Sequence, residues 1–359
     1  MLDAHAFERL ADVGLAQWVA KALVSMPPLP VAEPQLLRLV EVHRDSLVLH
    51  DGQAELSGRA HPRLIAELLA SNDALAVGDW VLADLTQPCW VHARVPPRTQ
   101  LARRLHDGRE KVTRVVIVSN VDTALLVMGL DHDFNLRRLE RFLAFVSLAE
   151  IESLVVLTKA DLCADAEQRL LQAQAILPAG SAALALDATC DASRERLLPW
   201  LRKGRTLALL GSSGAGKSTL TNLLTMTRSQ DTGGLRKGDG RGRHTTTSRS
   251  MHRTPEGACI IDTPGLRTLR LDTAPEAVGS VFDDIAQLAP ACRFRDCRHH
   301  EEPGCAVRGA VDPLRLDNYR KLLREARRDQ MSALERKAEV AVWKVRSRHA
   351  RMVTRAKRG

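Results

Sequence analysis

Residues 205–224 read RTLALLGSSGAGKSTLTNLL, and this segment restricts the architecture of the chain more than any other. An apolar, strand-like run enters a glycine-rich turn, which opens into a helix-forming segment. The turn matches the pattern G-x-x-x-x-G-K-[ST] in full over residues 211–218. Glycines let backbone N–H groups surround phosphate oxygens, and the N-terminus of the next helix adds a positive dipole. The segment therefore predicts a phosphate-binding loop (P-loop) in an α/β sheet.

Each residue of a P-loop has an expected role. We expect Lys217 to bridge the β- and γ-phosphates of a nucleotide and the Ser218 hydroxyl to ligate Mg²⁺. The predicted nucleotide contacts in this segment are Gly211, Ser212, Ser213, Gly214, Ala215, Gly216, Lys217, Ser218 and Thr219.

A second strand-and-turn segment, ACIIDTPG, follows at residues 258–265. In P-loop enzymes an aspartate at such a strand end reaches the magnesium ion, so Asp262 is a predicted magnesium contact. The backbone N–H of Gly265 is expected to sense the γ-phosphate. A D-x-x-G tetrapeptide alone is more often a plain turn, and its position after a buried-type strand downstream of a P-loop favours the functional interpretation.

The tetrapeptide Thr158-Lys159-Ala160-Asp161 ends the apolar run SLVVL and resembles the guanine-specificity motif [NT]-K-x-D. The Asp161 carboxylate would accept hydrogen bonds from guanine N1–H and N2–H₂, while the Lys159 stem packs on the ring. Adenine has no matching pair of donors and would leave a buried charge unpaired. An exposed helix N-cap is the alternative role for Asp161. With a P-loop in the same chain, the motif predicts guanine-nucleotide binding.

The order of these motifs is reversed, because residues 158–161 precede the P-loop. In ordinary GTPases the P-loop comes first and the guanine motif lies near the end. Chain termini of a compact α/β domain lie close together at the surface, so circular permutation leaves the site intact. The segment Asp187-Ala188-Thr189 lies where the remaining base-contacting loop is expected, although it matches that motif poorly.

The segment between the P-loop and Asp262 is glycine-rich and basic, and it reads GGLRKGDGRGRHTTT over residues 233–247. Among its threonines we choose Thr246 to complete Mg²⁺ coordination; a solvated loop is the alternative. Many GTPases carry a water-orienting glutamine directly after the D-x-x-G glycine, but this position is Leu266. We therefore expect slow intrinsic hydrolysis and hypothesise that His244 orients the water once a partner orders the loop. Contact of His244 with solvent or RNA alone is equally compatible with the sequence.

Four soft ligands lie within a short segment near the C-terminus: Cys292, Cys297, His299 and Cys305. Three thiolates and one imidazole suit a closed, tetrahedral, structural Zn²⁺ site. The adjacent His300 is an alternative ligand, and free buried thiols are the alternative to a metal site. The seven cysteines in this long chain are too few for a disulfide scaffold, so reduced thiols in the cytoplasm are expected.

Composition changes along the chain predict a multidomain protein. A helical segment ends in the proline-rich run MPPLP, and short β-type runs with turn signals then predict a small all-β barrel. Alternating strands and helices predict a mostly parallel sheet, followed by a small α-helical, zinc-binding domain and a basic tail. The predicted units are residues 1–34, 35–100, 101–272 and 273–359.

The net charge of +9 is concentrated at the C-terminus. Residues 313–359 contain 15 Lys and Arg against 5 Asp and Glu, which gives +10. A local basic arm favours contact with phosphate backbones, and a solvated basic helix is the alternative. The N-terminus does not resemble a signal peptide and no long apolar run predicts a membrane span, so we expect a cytoplasmic protein, and a monomer.

Taken together, these motifs resemble the ribosome small-subunit-dependent GTPase A family over nearly the whole chain. The resemblance rests on VDTALLVMGLDHDFNLRRLERFL, LTKADL, GSSGAGKSTLTNLL, GRHTTTS, IDTPG and C-x4-C-x-H-x5-C, in that order. It implies an N-terminal OB-fold barrel, a circularly permuted P-loop GTPase domain and a C-terminal zinc-finger domain. It also implies late maturation of the small ribosomal subunit, with GTP hydrolysis stimulated by that subunit and its rRNA as partner. Thr158 departs from the common Asn, which should be tolerated.

Three other functions compete with ribosome-timed GTP hydrolysis. The first is a binding switch, in which bound GTP controls the affinity of the chain for RNA and hydrolysis only resets that affinity. A P-loop kinase or ATPase is disfavoured by Asp161, which has no partner on adenine. A zinc-containing RNA-binding protein with a vestigial nucleotide site is disfavoured by intact Lys217, Ser218 and Asp262.

Overall fold

The structure is a computed structural model that describes residues 4–31, 33–86, 88–106, 112–226, 249–264 and 278–330. The α-helices are α1 (Ala4–Ala11), α2 (Gln17–Val24), α3 (Pro62–Ala70), α4 (Leu136–Ser147), α5 (Ala166–Gln174), α6 (Lys217–Thr225), α7 (Asp283–Leu288) and α8 (Pro313–Gln330). Short 3₁₀ helices cover Ala160–Leu162, Asp191–Trp200 and Ala289–Ala291. The strands are β1 (Gln35–Val42), β2 (Leu47–His50), β3 (Glu55–Ala60), β4 (Trp80–Asp84), β5 (Cys89–Arg94), β6 (Gln100–His106), β7 (Val112–Ser119), β8 (Thr123–Gly129), β9 (Glu152–Thr158), β10 (Ala182–Ala185), β11 (Thr206–Gly211), β12 (Ser250–Arg253) and β13 (Cys259–Asp262).

Strands β1 to β5 form a closed barrel. Their order is β1-β2-β3-β5-β4, and β4 pairs back onto β1. Strands β3 and β5 are parallel, and α3 connects β3 to β4, as in the five-stranded Greek-key barrel of an OB-fold. Alternate residues point inward and are fully buried, among them Leu37, Leu39, Leu49, Val81 and Val91. The predicted all-β barrel is confirmed.

The second layer is a mostly parallel sheet in the order β10-β9-β8-β11-β13-β12. Strand β12 alone runs antiparallel to its neighbour β13. The strands are apolar along their length because helices cover both faces. On one face α4 buries Leu139, Phe142, Leu143 and Val146, and on the other α6 buries Leu220 and Leu224. The carboxyl ends of β8, β9, β11 and β13 meet at one edge.

Barrel and sheet are joined by hydrogen bonds and one buried arginine. Strand β1 pairs with β12 through Glu41 and Ser250. Arg38 on β1 is 1% exposed, lies over the Trp80 ring at 4.8 Å, and donates to the Thr206 Oγ1 at 3.2 Å. Because Thr206 begins β11, the barrel contacts the strand that ends in the P-loop.

The C-terminal helix α8 is fixed to the sheet through α4. Glu140 on α4 is fully buried and accepts hydrogen bonds from Arg315 at 2.7 Å and from Asn318 at 2.5 Å. Arg315 also binds Asp284 at 2.8 Å and lies over the Phe282 ring. A buried charge with several partners tolerates little movement, so α8 and the sheet form a rigid junction.

Several elements differ from the sequence-based expectation. Strand β3 was not predicted, since ELSGRA lacks β-branched residues and contains Gly58. The hairpin of β6 and β7 was also missed. The segment ERLLPWL has a helix-forming sequence but lies in the 3₁₀ helix Asp191–Trp200, since Pro199 has no N–H for an α-helical hydrogen bond.

The buried carboxyl of Asp79 leads to a pH prediction. Burial raises the pKa of Asp79 to about 6. The charge of Arg94 and the hydrogen bonds from Ala76 and Ser119 act in the opposite direction and lower it. A pKa above the unfolded value means that ionisation destabilises the native state. The free energy of unfolding therefore falls as the pH rises from about 4 to about 6, and we expect Asp79→Asn to lose that decline, on the order of 2 kcal/mol.

Urea denaturation of wild type and variant between pH 4 and 8 measures this difference. Asp73→Asn is the matched control. At Asp73, burial raises the pKa, but the hydrogen bond from Arg94 and the other contacts of the carboxylate together outweigh it, so the pKa lies below its usual value. Its effect on the pH dependence should have the opposite sign. Parallel curves for Asp79→Asn and wild type would contradict the prediction.

Candidate functional site

The predicted P-loop connects β11 to α6. Gly211 is the last residue of β11, and a Cβ there would lie 2.3 Å from the Val127 carbonyl oxygen on β8. Gly214 and Gly216 adopt φ angles of 82° and 92°, which side chains disfavour. These three glycines let the backbone turn sharply against the neighbouring strand before α6 begins.

Lys217 is held inside the loop that it follows. It is 7% exposed, and its Nζ donates to the Gly211 carbonyl at 3.1 Å and to the Ser212 carbonyl at 2.7 Å. Burial lowers the pKa of Lys217, and the charges of Asp262 and Asp133 oppose that shift. The ammonium group therefore lies at the loop with its donors directed at carbonyls that a phosphate oxygen can replace.

The segment 158–161 lies directly against the P-loop. Thr158 ends β9, is 1% exposed, and donates from Oγ1 to the Ala215 carbonyl at 2.7 Å. Lys159 follows with a φ of 61° and donates from Nζ to the Gly214 carbonyl at 2.8 Å. Two side chains of the segment 158–161 thus bind two neighbouring carbonyls of the P-loop, although the two segments lie far apart in the chain.

The segment 187–189 lies next to the guanine motif. Asp161 is exposed in the 3₁₀ helix Ala160–Leu162. The Ala160 N–H donates to the Leu186 carbonyl at 3.3 Å, so the segment after β10 adjoins the guanine motif. There Asp187 accepts hydrogen bonds from the Thr189 N–H at 2.8 Å and from its hydroxyl at 2.6 Å.

Asp262 lies on the other side of the P-loop strand. It ends β13 opposite Leu209 of β11 and is 1% exposed. Thr263 holds the turn that follows, because its hydroxyl donates to the Leu209 carbonyl at 2.5 Å. Ser218 and Thr219 lie in the first turn of α6. The predicted residues His244, Thr246 and Gly265, together with Leu266, lie outside the described residues.

Two carboxylates at this edge were missed by the sequence analysis. Asp131 accepts from the Lys159 Nζ at 2.8 Å, and Asp133 accepts from the Ser212 Oγ at 2.5 Å. Although burial opposes it, the hydrogen bond from Lys159 lowers the pKa of Asp131. Polar residues directly after an apolar parallel strand were an available signal, since such strand ends line binding sites in α/β sheets.

The predicted metal ligands Cys292, Cys297, His299 and Cys305 come together, with all ligand atoms within 4.8 Å of one another. The His299 Nδ1 lies 3.6 Å from the Cys292 Sγ and 3.5 Å from the Cys305 Sγ. His299 is 6% exposed, whereas the backbone N–H of His300 donates to Glu302. The cluster can bind one metal ion.

Comparison with known proteins identifies the family. Residues 95–272 match the family model described as RsgA GTPase. The chain is 45% identical over 299 residues, 81% of each chain, to "Small ribosomal subunit biogenesis GTPase RsgA 2" of Vibrio vulnificus. The chain belongs to the RsgA GTPase family. It is 44% identical, again over 81% of each chain, to "Small ribosomal subunit biogenesis GTPase RsgA" of Xanthomonas oryzae pv. oryzae. The predicted family and enzyme class, a GTPase, are confirmed.

Solved structures support the fold. YjeQ from Thermotoga maritima matches with a TM-score of 0.59 at 22% identity, covering 82% of this chain and 99% of that one. YloQ, described as a circularly permuted GTPase, matches with a TM-score of 0.55 at 22% identity, covering 86% and 100%. The predicted fold class, a barrel followed by a permuted α/β GTPase domain and a small Cys/His-containing domain, is confirmed. Within the described ranges, no helix combines the length and apolar character needed to cross a bilayer.

The Thr158 hydroxyl provides a test of the contact between the two motifs. We expect Thr158→Val, which keeps the shape, to weaken GTP and GDP binding roughly tenfold, since the Ala215 carbonyl loses its donor. Thr158→Ser retains the hydroxyl and is the control. Titration with fluorescent GDP and GTP analogues measures both, and wild-type affinity in the Val variant would show that the contact is dispensable.

Proposed function

We propose that this GTPase performs Mg²⁺-dependent hydrolysis of GTP to GDP and phosphate, stimulated by the small ribosomal subunit and coupled to late maturation of that subunit. The observation that carries the nucleotide assignment is the pair of hydrogen bonds from Thr158 and Lys159 to the P-loop carbonyls. They unite a phosphate-binding segment and a guanine-selective segment in one site. The names of the relatives supply the ribosomal partner.

In this proposal the base is selected at one end of the site and the phosphates at the other. Asp161, exposed beyond β9, accepts from guanine N1–H and N2–H₂, and Lys159 packs along the ring. The backbone of Gly211–Gly216 and the N-terminus of α6, including Thr219, bind the phosphates. Lys217 exchanges its two loop carbonyls for phosphate oxygens.

Residues at the start of α6 and at the end of β13 suit a magnesium site. Ser218 and Asp262 offer the hydroxyl and carboxylate oxygens that Mg²⁺ prefers, and we propose Thr246 as a further ligand. When bound, Mg²⁺ neutralises charge that develops on the phosphates. Gly265 remains the proposed sensor of the γ-phosphate and His244 the proposed water-orienting residue, because Leu266 cannot hold a water.

The partner and the compartment follow from the same proposal. The basic segment 313–359 favours contact with rRNA, and a barrel of this type commonly binds nucleic acid. A factor for ribosomal subunits acts in the cytoplasm, and we propose a monomer. We also propose that residues 1–34, 35–100, 101–272 and 273–359 are the structural units of the chain.

A GTP-controlled RNA-binding switch is the second candidate. Strand β12 pairs with β13, which ends in Asp262, and also with β1 of the barrel. Nucleotide-dependent movement of β12 would therefore reach the barrel surface. Under this function, a form locked with a non-hydrolysable GTP analogue still promotes subunit maturation. Under the first function it does not.

We propose that the Cys/His cluster holds one structural Zn²⁺. Zn–S bonds of about 2.3 Å in tetrahedral geometry require sulfur atoms roughly 3.8 Å apart. The Sγ atoms of Cys292 and Cys305 are 3.9 Å apart, which fits this requirement without movement of the backbone. Three thiolates and an imidazole leave no open position for water, so the ion would stabilise the fold and take no part in hydrolysis.

Hydrolysis rates for GTP and ATP, with and without purified small ribosomal subunits, test the main proposal. We expect turnover of GTP only, a sharp increase with subunits, and a loss of roughly 100-fold or more in Lys217→Ala. Lys203→Ala is the matched control, because Lys203 is half-exposed and pairs with Asp12 away from the site. A GTP hydrolysis rate that does not change with subunits would contradict the ribosomal partner. Equal rates for ATP and GTP would contradict guanine selectivity.

The zinc proposal is tested by two adjacent histidines. We expect His299→Ala to lose bound zinc and to unfold at a lower temperature, because a structural zinc ion supplies folding free energy. His300→Ala should keep one zinc per chain and the wild-type melting temperature. Elemental analysis and thermal denaturation measure both, and full zinc occupancy in His299→Ala would contradict the ligand set.

A further inference from the structure

The loop between β8 and α4, residues 130–135, carries a carboxylate that contacts the P-loop but belongs to neither nucleotide motif. Asp133 is 8% exposed, and its Oδ1 accepts from the Ser212 Oγ at 2.5 Å. Arg138 donates to the same oxygen at 2.5 Å, and the Gly129 N–H donates to Oδ2 at 3.2 Å. Both oxygens of a buried carboxylate are thus hydrogen-bonded, so its orientation is fixed.

Ser212 connects this carboxylate to the phosphate-binding lysine. Its hydroxyl donates to Asp133, while its carbonyl accepts from the Lys217 Nζ at 2.7 Å. When a triphosphate binds, Lys217 leaves that carbonyl, and the hydroxyl contact to Asp133 still holds Ser212 in place. The hydrogen bond to Asp133 is charge-assisted and short, which is the strong class of such bonds.

We infer that Asp133 is a positioning residue for nucleotide binding, which acts through the Ser212 hydroxyl to hold the P-loop open for the phosphates. This inference rests on the proposed GTPase function and assigns a role to a residue outside its motifs. The loop 130–135 is itself fixed, because Arg169 on α5 donates to the Leu130 carbonyl at 2.9 Å. A loop that is ordered before nucleotide arrives loses less conformational entropy on binding.

The kinetic signature of this role differs from that of a catalytic group. Asp133 contacts the loop and not the reacting atoms, so its contribution is equal in the ground state and the transition state. An interaction of that kind changes KM and leaves kcat unaltered. Since slow intrinsic hydrolysis is expected, KM approximates the dissociation constant of GTP.

The test is a double-mutant cycle on intrinsic GTP hydrolysis and on binding of a fluorescent GDP analogue, both without ribosomal subunits. We expect Ser212→Ala and Asp133→Asn each to raise KM and the GDP dissociation constant roughly tenfold, with kcat within about twofold of wild type. The double variant should bind nucleotide no more weakly than the weaker-binding single variant, because both changes act on the same hydrogen bond: Ser212→Ala removes its donor and Asp133→Asn removes the charge of its acceptor. Ser212→Thr restores a hydroxyl and should recover most of the affinity.

Asp122→Asn is the matched control for a general effect on folding. Asp122 accepts from the Thr206 N–H at 2.8 Å, at the opposite end of β11, so its loss should leave KM unchanged. Provided that the unmodified chain binds GTP, two results would overturn the inference. One is a rise in KM in the double variant equal to the product of the two single rises, and the other is a fall in kcat at constant KM. Failure of the unmodified chain to bind guanine nucleotides would instead overturn the proposed function, and the inference with it.

Discussion

The carbonyl groups of Gly214 and Ala215 are the point on which the nucleotide site depends. They accept hydrogen bonds from Lys159 at 2.8 Å and from Thr158 at 2.7 Å. These contacts require the ends of β9 and β11 to flank the end of β8, which the strand order provides. The apolar strands and the helices on both faces fix that geometry, since a buried parallel sheet permits little sliding of one strand past another.

The same sheet connects the outer parts of the molecule, but through two different kinds of junction. The barrel is attached by the pairing of β1 with β12 and by Arg38, whose guanidinium is buried over Trp80. Helix α8 is attached through the fully buried Glu140 on α4, which accepts hydrogen bonds from Arg315 and Asn318 of α8. The first junction runs through β12, which also pairs with β13, the strand that ends at Asp262. The second is a network of buried charges, so it favours rigidity.

The sequence predicted most of this architecture because the motifs impose strict local geometry. A P-loop demands a strand, a glycine turn and a helix, and four soft ligands at short spacing predict a metal cluster. It did not predict β3, whose residues have low strand propensity and are ordered by the closure of the barrel. The position of Asp133 after an apolar strand was an available signal, but that signal does not identify its partner Ser212, which lies 79 residues away in the chain.

The reversed order of the motifs also has a consequence for biosynthesis. The ribosome translates β8, α4 and β9 before it reaches β11, so Thr158 and Lys159 emerge when the carbonyls that they bind do not yet exist. Domains generally fold as units, the N-terminal ones first. A nascent chain can thus close its barrel early, whereas the phosphate-binding half of the site is completed only when residues up to Asp262 have left the exit tunnel. The phosphate-binding half of the site is therefore the last part to be made, whereas in GTPases that make the P-loop first it is the base-binding half.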